Sequence, residues 1–598
     1  MQKKWILRTV SDKHLINKLS EELHIPEPLI YLLVQRGITT YNEARCFFKP
    51  TLEDIHDPYL MQDMQKSVER VEEAIKRKEK ILVFGDYDVD GTSAVALIYS
   101  FLKAISQKHE IEYYIPDRYR EGYGMSIQSV EYAKENKFSL IISLDCGIKC
   151  HQEIDLAVEY GIDVIVCDHH LPDKTLPNAY AILNPKRKDC SYPYKELSGC
   201  GVGFKLIHAI AQNRGMPLAE VWQYFDLVAL SIASDVVPIT GENRIFAYFG
   251  LKLINVRPRQ GIESLLTFSS IVRKTPPETS IPTKSLKTVF SREITINDLV
   301  FAVGPRINAA GRMDTGRSSV DLLITKEKDE IINLGKRVDM HNTDRRELDV
   351  KTTQEATDMA LAKLNLQDRK SLVVYSPLWS KGIVGIVASR LVEHFYKPSI
   401  VLTLFDGMIT GSARSVKNFD LYIALSQCRD LLECFGGHTF AAGLSLKPEN
   451  LDAFSERFEQ VVASTISQTS LTPSIEIDKE ISLDAITMNF FNLMKKFAPF
   501  GPENSPPVFM TKNVIDAGKA RVVGQNHLKL SLSQRYSRSY PVEAIAFGFG
   551  KYYDQITKGS PFHICYQIDI NEWQGKSMLQ LNIKDIKFEF NPTDLIPA

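Results

Sequence analysis

Three short apolar runs in the first third of the chain each end in an acid or a histidine. ILVF (Ile81 to Phe84) runs into GDYDVDG, which carries Asp86, Asp88 and Asp90. LIISL (Leu140 to Leu144) runs into Asp145, Cys146 and Gly147. DVIVC (Asp163 to Cys167) runs into Asp168, His169 and His170. Apolar runs of this length, bounded by polar residues and separated by helix-like segments, read as buried parallel strands of βαβ units. Ligands of such sheets bind beyond the carboxyl ends of the strands. The three ends would therefore bring five carboxylates and two imidazoles to one edge. Like charges crowded at close range repel strongly, so the set demands cations, two rather than one.

Composition narrows the setting without naming a substrate. With 598 residues, 44% apolar and 24% charged, the chain has room for several domains, each with its own core. The N-terminal MQKKWILRTVSDKH lacks the apolar stretch of a signal peptide, and no segment approaches the length of a bilayer span. The nine cysteines form no CxxC pair, the closest being Cys146 and Cys150. An odd, scattered set points to reduced thiols and a cytoplasmic protein with no membrane partner. A net charge of -1 gives no global basic field, so a polyanion would have to be held by local patches.

The order of patterns predicts a multidomain α/β chain. Residues 1–67 read as a mostly helical adaptor and 68–317 as a parallel-sheet α/β domain. That domain has helices over Val68 to Lys78 and Thr92 to Ile105, and its α/β pattern continues to about Val256. Pro276 to Thr283 reads as an exposed loop. Residues 318–366 are polar and nearly free of Gly and Pro, as a long linker helix requires. A second, smaller α/β unit spans 367–470, opening at SLVVYS (Ser371 to Ser376). Residues 471–598 alternate in β fashion between turn residues, enough for a small barrel.

Asp86, Asp88 and Asp90 are spaced by two, so in an extended strand exit they share one side. Gly91 then permits a tight turn into the helix. A plain acidic turn capping a helix has the same spacing, and DVDGT (Asp88 to Thr92) also resembles the haloacid-dehalogenase signature, in which the first Asp is a nucleophile. That second reading has no use for Asp168-His169-His170 at a third strand end. Adjacent residues of a turn diverge, so one imidazole can bind metal while the other faces substrate. A further acid, Asp235 in SIASDVVP, follows an apolar helical run and precedes a proline.

Taken together, GDYDVDG, LDCGI, CDHH and ASDVVP resemble the four motifs of the DHH superfamily of phosphoesterases. GGHTFAAG (Gly436 to Gly443) resembles the signature of the companion DHHA1 domain. GPRINAAGRM (Gly304 to Met313) and APFGPENSPPVF (Ala498 to Phe509) extend the likeness to the RecJ family, in the second case to the start of its oligonucleotide-binding barrel. Glu503 breaks a run that is usually glycine there, a change expected to affect a turn only. The resemblance implies a single-strand-specific exonuclease that cuts DNA in the 5′-3′ direction during repair and recombination. Its implied cofactors are two divalent ions, and carboxylates with one imidazole suit Mn²⁺ or Mg²⁺ better than zinc. By the same resemblance Asp86 and Asp88 hold one ion and Asp90, His169 and Asp235 the other. Asp145 bridges them, and His170 donates to the phosphate.

The substrate grip is expected to be basic and distributed. Arg118 follows the strand-like IEYYI and can reach the acidic edge, unless it is a surface ion-pair residue. Arg306 and Arg312 flank an Ala-rich turn at the domain junction. Ser412 and Arg414 lie in a glycine-permitted turn, and Gly436, Gly437 and His438 offer backbone N–H groups near a helix start. The resemblance implies that Ser412, Arg414 and one junction arginine anchor a terminal 5′ phosphate. GCGVGF (Gly199 to Phe204) lacks a preceding strand and reads as helix packing. In the tail, Lys512, Lys519, Arg521, Lys529, Arg535 and Arg538 share a stretch with a single acid, Asp516, and with Tyr536 and Tyr540. Interleaved cations and aromatics suit single-stranded nucleic acid, although a solvated barrel face has the same composition. A monomer working with a helicase and a single-strand-binding protein is the implied setting. The competing function is a phosphoesterase for short oligonucleotides or cyclic dinucleotides, which would need neither adaptor nor tail.

Overall fold

The computed structural model describes residues 3–106, 109–274, 287–313, 315–362, 368–534, 540–573, 576–589 and 595–597. They form two compact units, Ile38–Thr343 with Lys495–Pro506, and Met1–Gly37 with Asp344–Met494 and Pro507–Ala598. The expected loop from Pro276 to Thr283 lies outside the described residues, as do Arg535, Tyr536 and Arg538.

The first unit is built on a parallel sheet of β1 (Lys80–Gly85), β2 (Ile111–Tyr114), β3 (Phe138–Leu144), β4 (Asp163–Cys167) and β5 (Ala181–Leu183). The apolar runs became strands because both faces are covered. Ile81, Val83, Leu140, Ile142 and Ile165 enter one core, while Leu82, Phe84, Ile141, Val164 and Val166 enter another. Alternate residues thus serve different cores, and no polar face is left to create alternation. The strand order is β2-β1-β3-β4-β5. Helix α1 (Val89–Ile105) after β1 packs into the first core, and the helix His151–Glu159 after β3 packs into the second. Connections that leave neighbouring strands for opposite faces open a crevice at their carboxyl ends, and ligands bind there. Asp86 and Asp145 stand at that crevice.

Several expectations need correction. The α/β alternation stops at Leu183 instead of about Val256; the chain then runs through α2 (Gly199–Asn213), α3 (Phe225–Ser234), Gly241–Val256 and Gln260–Phe268. The polar stretch from Ser318 is not one linker helix. Arg317–Ile324 is a separate short helix with Val320, Leu322 and Leu323 buried, and the long helix runs Lys328–Ala362. The spacing of those three apolar residues suits a buried helix face, a signal outweighed by the polar residues around them. APFGPENS precedes the first barrel strand, which starts at Phe509, and packs within the first unit. Arg244 donates to the carbonyls of Phe497 and Ala498, both at 2.9 Å, and of Pro499 at 3.3 Å. Glu503 has φ +58°, a left-handed conformation that glycine adopts more readily.

The second unit holds a five-stranded mixed sheet of β6 (Leu372–Tyr375), β7 (Ser399–Phe405), β8 (Met408–Arg414), β9 (Cys434–His438) and β10 (Ala441–Leu446), in the order β9-β10-β8-β7-β6. It also holds a barrel of β11 (Phe509–Asp516), β12 (His527–Gln534), β13 (Val542–Ala546), β14 (Phe562–Trp573) and β15 (Lys576–Lys587). Pairings β11–β14, β14–β15, β15–β13, β13–β12 and β12–β11 close it completely, which leaves no open edge among these five strands. The adaptor is mostly helical as expected, with Lys13–Leu23, Glu27–Val34 and Tyr41–Phe48, but it opens with a strand, Lys4–Leu7, paired in parallel with Ser474–Ile477 and Leu595–Pro597. Trp5 on that strand is fully buried and donates its indole N–H to Asp585 at 2.8 Å.

Candidate metal centre and nucleic-acid interface

The acidic loop is a strand-to-helix turn, not an extended exit. Asp88 is the N-cap of α1, accepting the Gly91 N–H at 3.0 Å, and Asp90 already lies in the first helical turn. The helix therefore starts at Val89, before the expected Thr92. Gly91 matters for closeness: a Cβ there would stand 2.4 Å from the Asp86 carbonyl oxygen.

Asp90 is gripped from GCGVGF, the segment that the sequence reads as helix packing. The N–H groups of Gly199 and Cys200, at the start of α2, each donate to its carboxylate at 2.7 Å. Ser231 on α3 donates to it at 2.7 Å. GCGVGF thus does more than pack a helix, because its positive N-terminal end holds an acid in place. Gly199 is also needed for space, since a Cβ would meet the Asp145 carboxylate at 2.6 Å.

Asp145 sits directly after β3 at φ +59°, a strained conformation for a residue with a side chain. His169, after β4, brings Nε2 to 3.3 Å from Asp145 and 3.5 Å from Asp235, the C-cap of α3. Two ligand groups result, Asp145 with His169 and His170, and Asp90 with His169 and Asp235; within each, one donor atom per residue lies within 4.8 Å of the others. His169 belongs to both groups, whereas the resemblance assigned the shared position to Asp145. Asp86 and Asp88 lie outside these two groups, although each carboxyl is pushed up by burial and Asp86 also by Asp88.

The donor atoms suit a cation. Among the described residues, Asp86 Oδ1, Asp145 Oδ1 and both ring nitrogens of His169 are buried without a hydrogen-bond partner, a costly condition for polar atoms. Burial, then Asp90 and Asp88, pushes Asp145 well above the usual carboxylate range and Asp235 up to about 9. A divalent ion reverses this, because its charge stabilises the carboxylates that burial disfavours. Carboxylate oxygens and an imidazole form a donor set that fits Mn²⁺ or Mg²⁺.

His170 is set apart by its second nitrogen. Asp168, fully enclosed after β4, accepts from His170 Nδ1 at 2.7 Å and from the N–H groups of His169, His170 and Ile148 at 2.7, 3.0 and 3.0 Å. Burial pushes the Asp168 carboxyl up, but the His170 hydrogen bond and charge outweigh it and hold it at about 2. Burial likewise works against a charged His170, and Asp168 overcomes it to raise its pKa. The rings of His169 and His170 lie 4.5 Å apart at 66°, so the expected divergence is a tilt, and His170 stays within reach of the ligand group. Tyr123 completes this corner, donating to the Asp145 carbonyl at 2.8 Å and standing 3.3 Å from His170 Nε2. Neither Tyr123 nor the role of Asp168 was read from the sequence.

The expected substrate residues divide. Arg118 lies over the Tyr87 ring at 4.7 Å, and its charge favours ionised Asp86, so it does reach the acidic edge. Arg312 approaches the same tyrosine from α4 (Gly304–Met313), a helix where a turn was expected. Arg306 on α4 is a correction. It is buried, pairs with Asp339 at 2.8 Å and donates to the carbonyls of Ala302 and Phe268 at 2.7 and 3.1 Å, so its guanidinium is committed to the fold.

In the second unit Ser412 and Arg414 lie on strand β8, not in a turn, and two-residue spacing puts them on one face. Arg414 donates to Ser412 Oγ at 2.7 Å and has no ion pair among the described residues; burial alone lowers its pKa. Gly385, near the start of Val384–Phe395, leaves the space beside them open, since a Cβ there would meet Arg414 at 3.0 Å and Ser412 at 3.1 Å. Gly436, Gly437 and His438 belong to edge strand β9, which corrects the expected helix start. On the barrel Arg521 stands directly opposite Lys529, a like-charge pair that weakens a sheet unless an anion lies across it.

Family models agree with this geometry. The N-terminal domain of the DHH family matches residues 80–232, the DHHA1 domain 368–464 and the RecJ OB domain 477–585. The single-stranded-DNA-specific exonuclease RecJ of Bacillus subtilis is 35% identical over 579 residues, 96% of this chain and 70% of that protein. RecJ of Escherichia coli is 31% identical over 580 residues, 94% of this chain and 96% of that protein. A crystal structure of Thermus thermophilus RecJ in complex with Mn²⁺ superposes with a TM-score of 0.81 at 23% identity, covering 99% of this chain and 80% of that one. That structural likeness speaks for the fold, and the sequence matches speak for the lineage: the chain belongs to the RecJ family.

Proposed function

We propose that the chain is a divalent-metal-dependent exonuclease that hydrolyses single-stranded DNA from the 5′ end. The observation that carries this reading is the cluster of buried, unpartnered carboxylate and imidazole atoms at the β1, β3 and β4 ends. The donor set suits Mn²⁺ and Mg²⁺, the ions in complex with Thermus thermophilus RecJ in two crystal structures. Asp86, Asp88, Asp90, Asp145, His169 and Asp235 would hold the ions. Bound there, two such ions lower the pKa of a water and neutralise charge on a phosphate.

The protein's own groups supply orientation and proton handling. Gly199, Cys200 and Ser231 fix Asp90, and the αL turn fixes Asp145, so the carboxylates need little reorganisation. Asp168 holds the Nδ1 side of His170, which leaves Nε2 to donate to a phosphate oxygen or leaving group. Arg118 supplies positive charge next to Asp86, and Arg312 supplies it next to Tyr87. In the second unit, Arg414 with Ser412 offers charge-assisted bonds to a terminal 5′ phosphate. The barrel's Arg521 and Lys529 offer a track for the backbone, and the exposed Tyr540 offers a ring for a base.

The reading extends to the setting. A substrate that must be single-stranded needs an unwinding activity upstream and a protein that keeps strands apart, hence a helicase and a single-strand-binding protein as partners. Both ligand groups come from one unit of one chain, which suits a monomer. The nine free cysteines suit the cytoplasm. The test is hydrolysis of 5′-phosphorylated single strands, duplexes and dinucleotides with Mn²⁺, Mg²⁺ or chelator. Metal-dependent release of mononucleotides from single strands supports the reading, and exclusive cleavage of dinucleotides refutes it.

A further inference from the structure

One more strand ends at the acidic edge, and it carries a cation. β5 is parallel to β4 with Leu183 level with Cys167, so Asn184 stands level with Asp168. Asn184 is fully buried; it donates to the His170 carbonyl at 2.9 Å and accepts the Lys186 N–H at 2.8 Å. The turn that carries Lys186 is thereby fixed to the segment that carries His170. The Lys186 ammonium lies 3.2 Å from Glu196, a half-exposed carboxylate two residues before Ser198, the N-cap of α2. Its charge also reaches His169 and Asp235, on which burial and Asp90 act more strongly.

We propose that Lys186 is a substrate-binding residue that contacts a backbone phosphate of the bound strand on the His169 and Asp235 side of the centre. It would leave Glu196 to do so. The inference rests on the single-strand reading given above. The Glu196 side chain is half exposed and holds its partner weakly, so it can yield Lys186 to a phosphodiester oxygen, a single negative charge like its own. An ammonium on a flexible stem is a compact point charge that suits a phosphate whose position shifts as the strand advances. The competing account is structural, with Lys186 bracing Glu196 and, through it, the start of α2.

The two accounts separate in the salt dependence of binding. A fluorescent 5′-phosphorylated oligo-dT with phosphorothioate linkages, which resist cleavage, is titrated with enzyme and Mg²⁺ at several salt concentrations. Mn²⁺ affinity is measured in parallel. Lys186→Gln should weaken binding about threefold or more and flatten the slope of log K against log salt by about 0.7, the share of one single-strand phosphate. Mn²⁺ affinity should stay unchanged, Lys186→Arg should keep the wild-type slope, and Glu196→Gln should bind at least as tightly as wild type. A wild-type slope in Lys186→Gln, or an equal loss in Glu196→Gln, overturns the inference and leaves the exonuclease reading standing. Wild-type enzyme without salt-dependent single-strand binding overturns both.

Discussion

Replacing Asp168 by Asn keeps the shape of the side chain and removes the charge that four hydrogen bonds share. The carboxyl lies at about 2 against an ordinary 3.8, which favours the ionised form by roughly 2 kcal/mol. Asparagine adds a second cost. Its amide nitrogen must face a donor, and the least harmful choice sets it against the Ile148 N–H, which adds about 1–3 kcal/mol. His170 keeps an oxygen acceptor for its Nδ1 proton but loses the negative charge that favours its charged form, and weakening of such a supporting partner commonly lowers activity about 10–100-fold. Hydrogen exchange over residues 146–171 and single-turnover cleavage would read both effects. The amides of Ile148, His169 and His170 should exchange at least about 30-fold faster, the equivalent of 2 kcal/mol, and the rate should fall by the factor just given. The sign with pH follows from the lowered pKa. The stabilisation is present above 3.8 and is lost as pH falls through about 2, so the wild-type advantage in melting temperature should narrow over that window. Unchanged exchange and unchanged rate in Asp168→Asn would refute the reasoning.

Other outcomes follow from the same geometry. Ser231→Ala removes a 2.7 Å bond to Asp90 and should weaken Mn²⁺ binding about 10–100-fold in a direct titration, with equal affinity as the contrary result. Arg414→Ala should reduce the rate advantage of 5′-phosphorylated over 5′-hydroxyl strands at fixed salt, while Arg306→Ala should lower melting temperature and leave that ratio alone. The reverse pattern would mean that Arg306, despite its bonds to Asp339, Ala302 and Phe268, is the phosphate ligand. Lys529→Gln should relieve its repulsion with Arg521, leaving stability equal or higher, yet weaken binding to long strands. Unchanged binding to long strands would remove the barrel face from the substrate path.

The sequence made the catalytic sheet legible because its strands are buried on both faces and end in residues that have no business in a core. Asp86, Asp145 and His169 could be brought together from three apolar runs and one rule about strand ends. The supports of these ligands were not legible. Gly199, Cys200 and Ser231 reach Asp90 across more than 100 residues through helix-end N–H groups and one hydroxyl, and such bonds leave no periodic trace. Arg306 illustrates the opposite failure: an arginine in a motif looked available until Asp339 and two carbonyls claimed its donors. The barrel was visible in its alternation, but its partnership with Lys4–Leu7 was not, because a four-residue strand at the far end of the chain carries too little pattern. Cutting the chain at about Pro473 would therefore strand Trp5, and point changes on the barrel face are the sounder test.

On the proposed function, the acids and His169 at the strand ends form a metal-dependent centre working from the 5′ end of single strands. That reading is tested most directly with a strand carrying a labelled 5′ phosphate, followed with Mn²⁺, Mg²⁺ or a chelator, in wild type and Asp145→Ala. Label should leave as mononucleotide from the first turnover with a metal ion, and not at all with chelator or in Asp145→Ala. Label retained on strands that shorten from the other end, or hydrolysis that survives chelation, would contradict it.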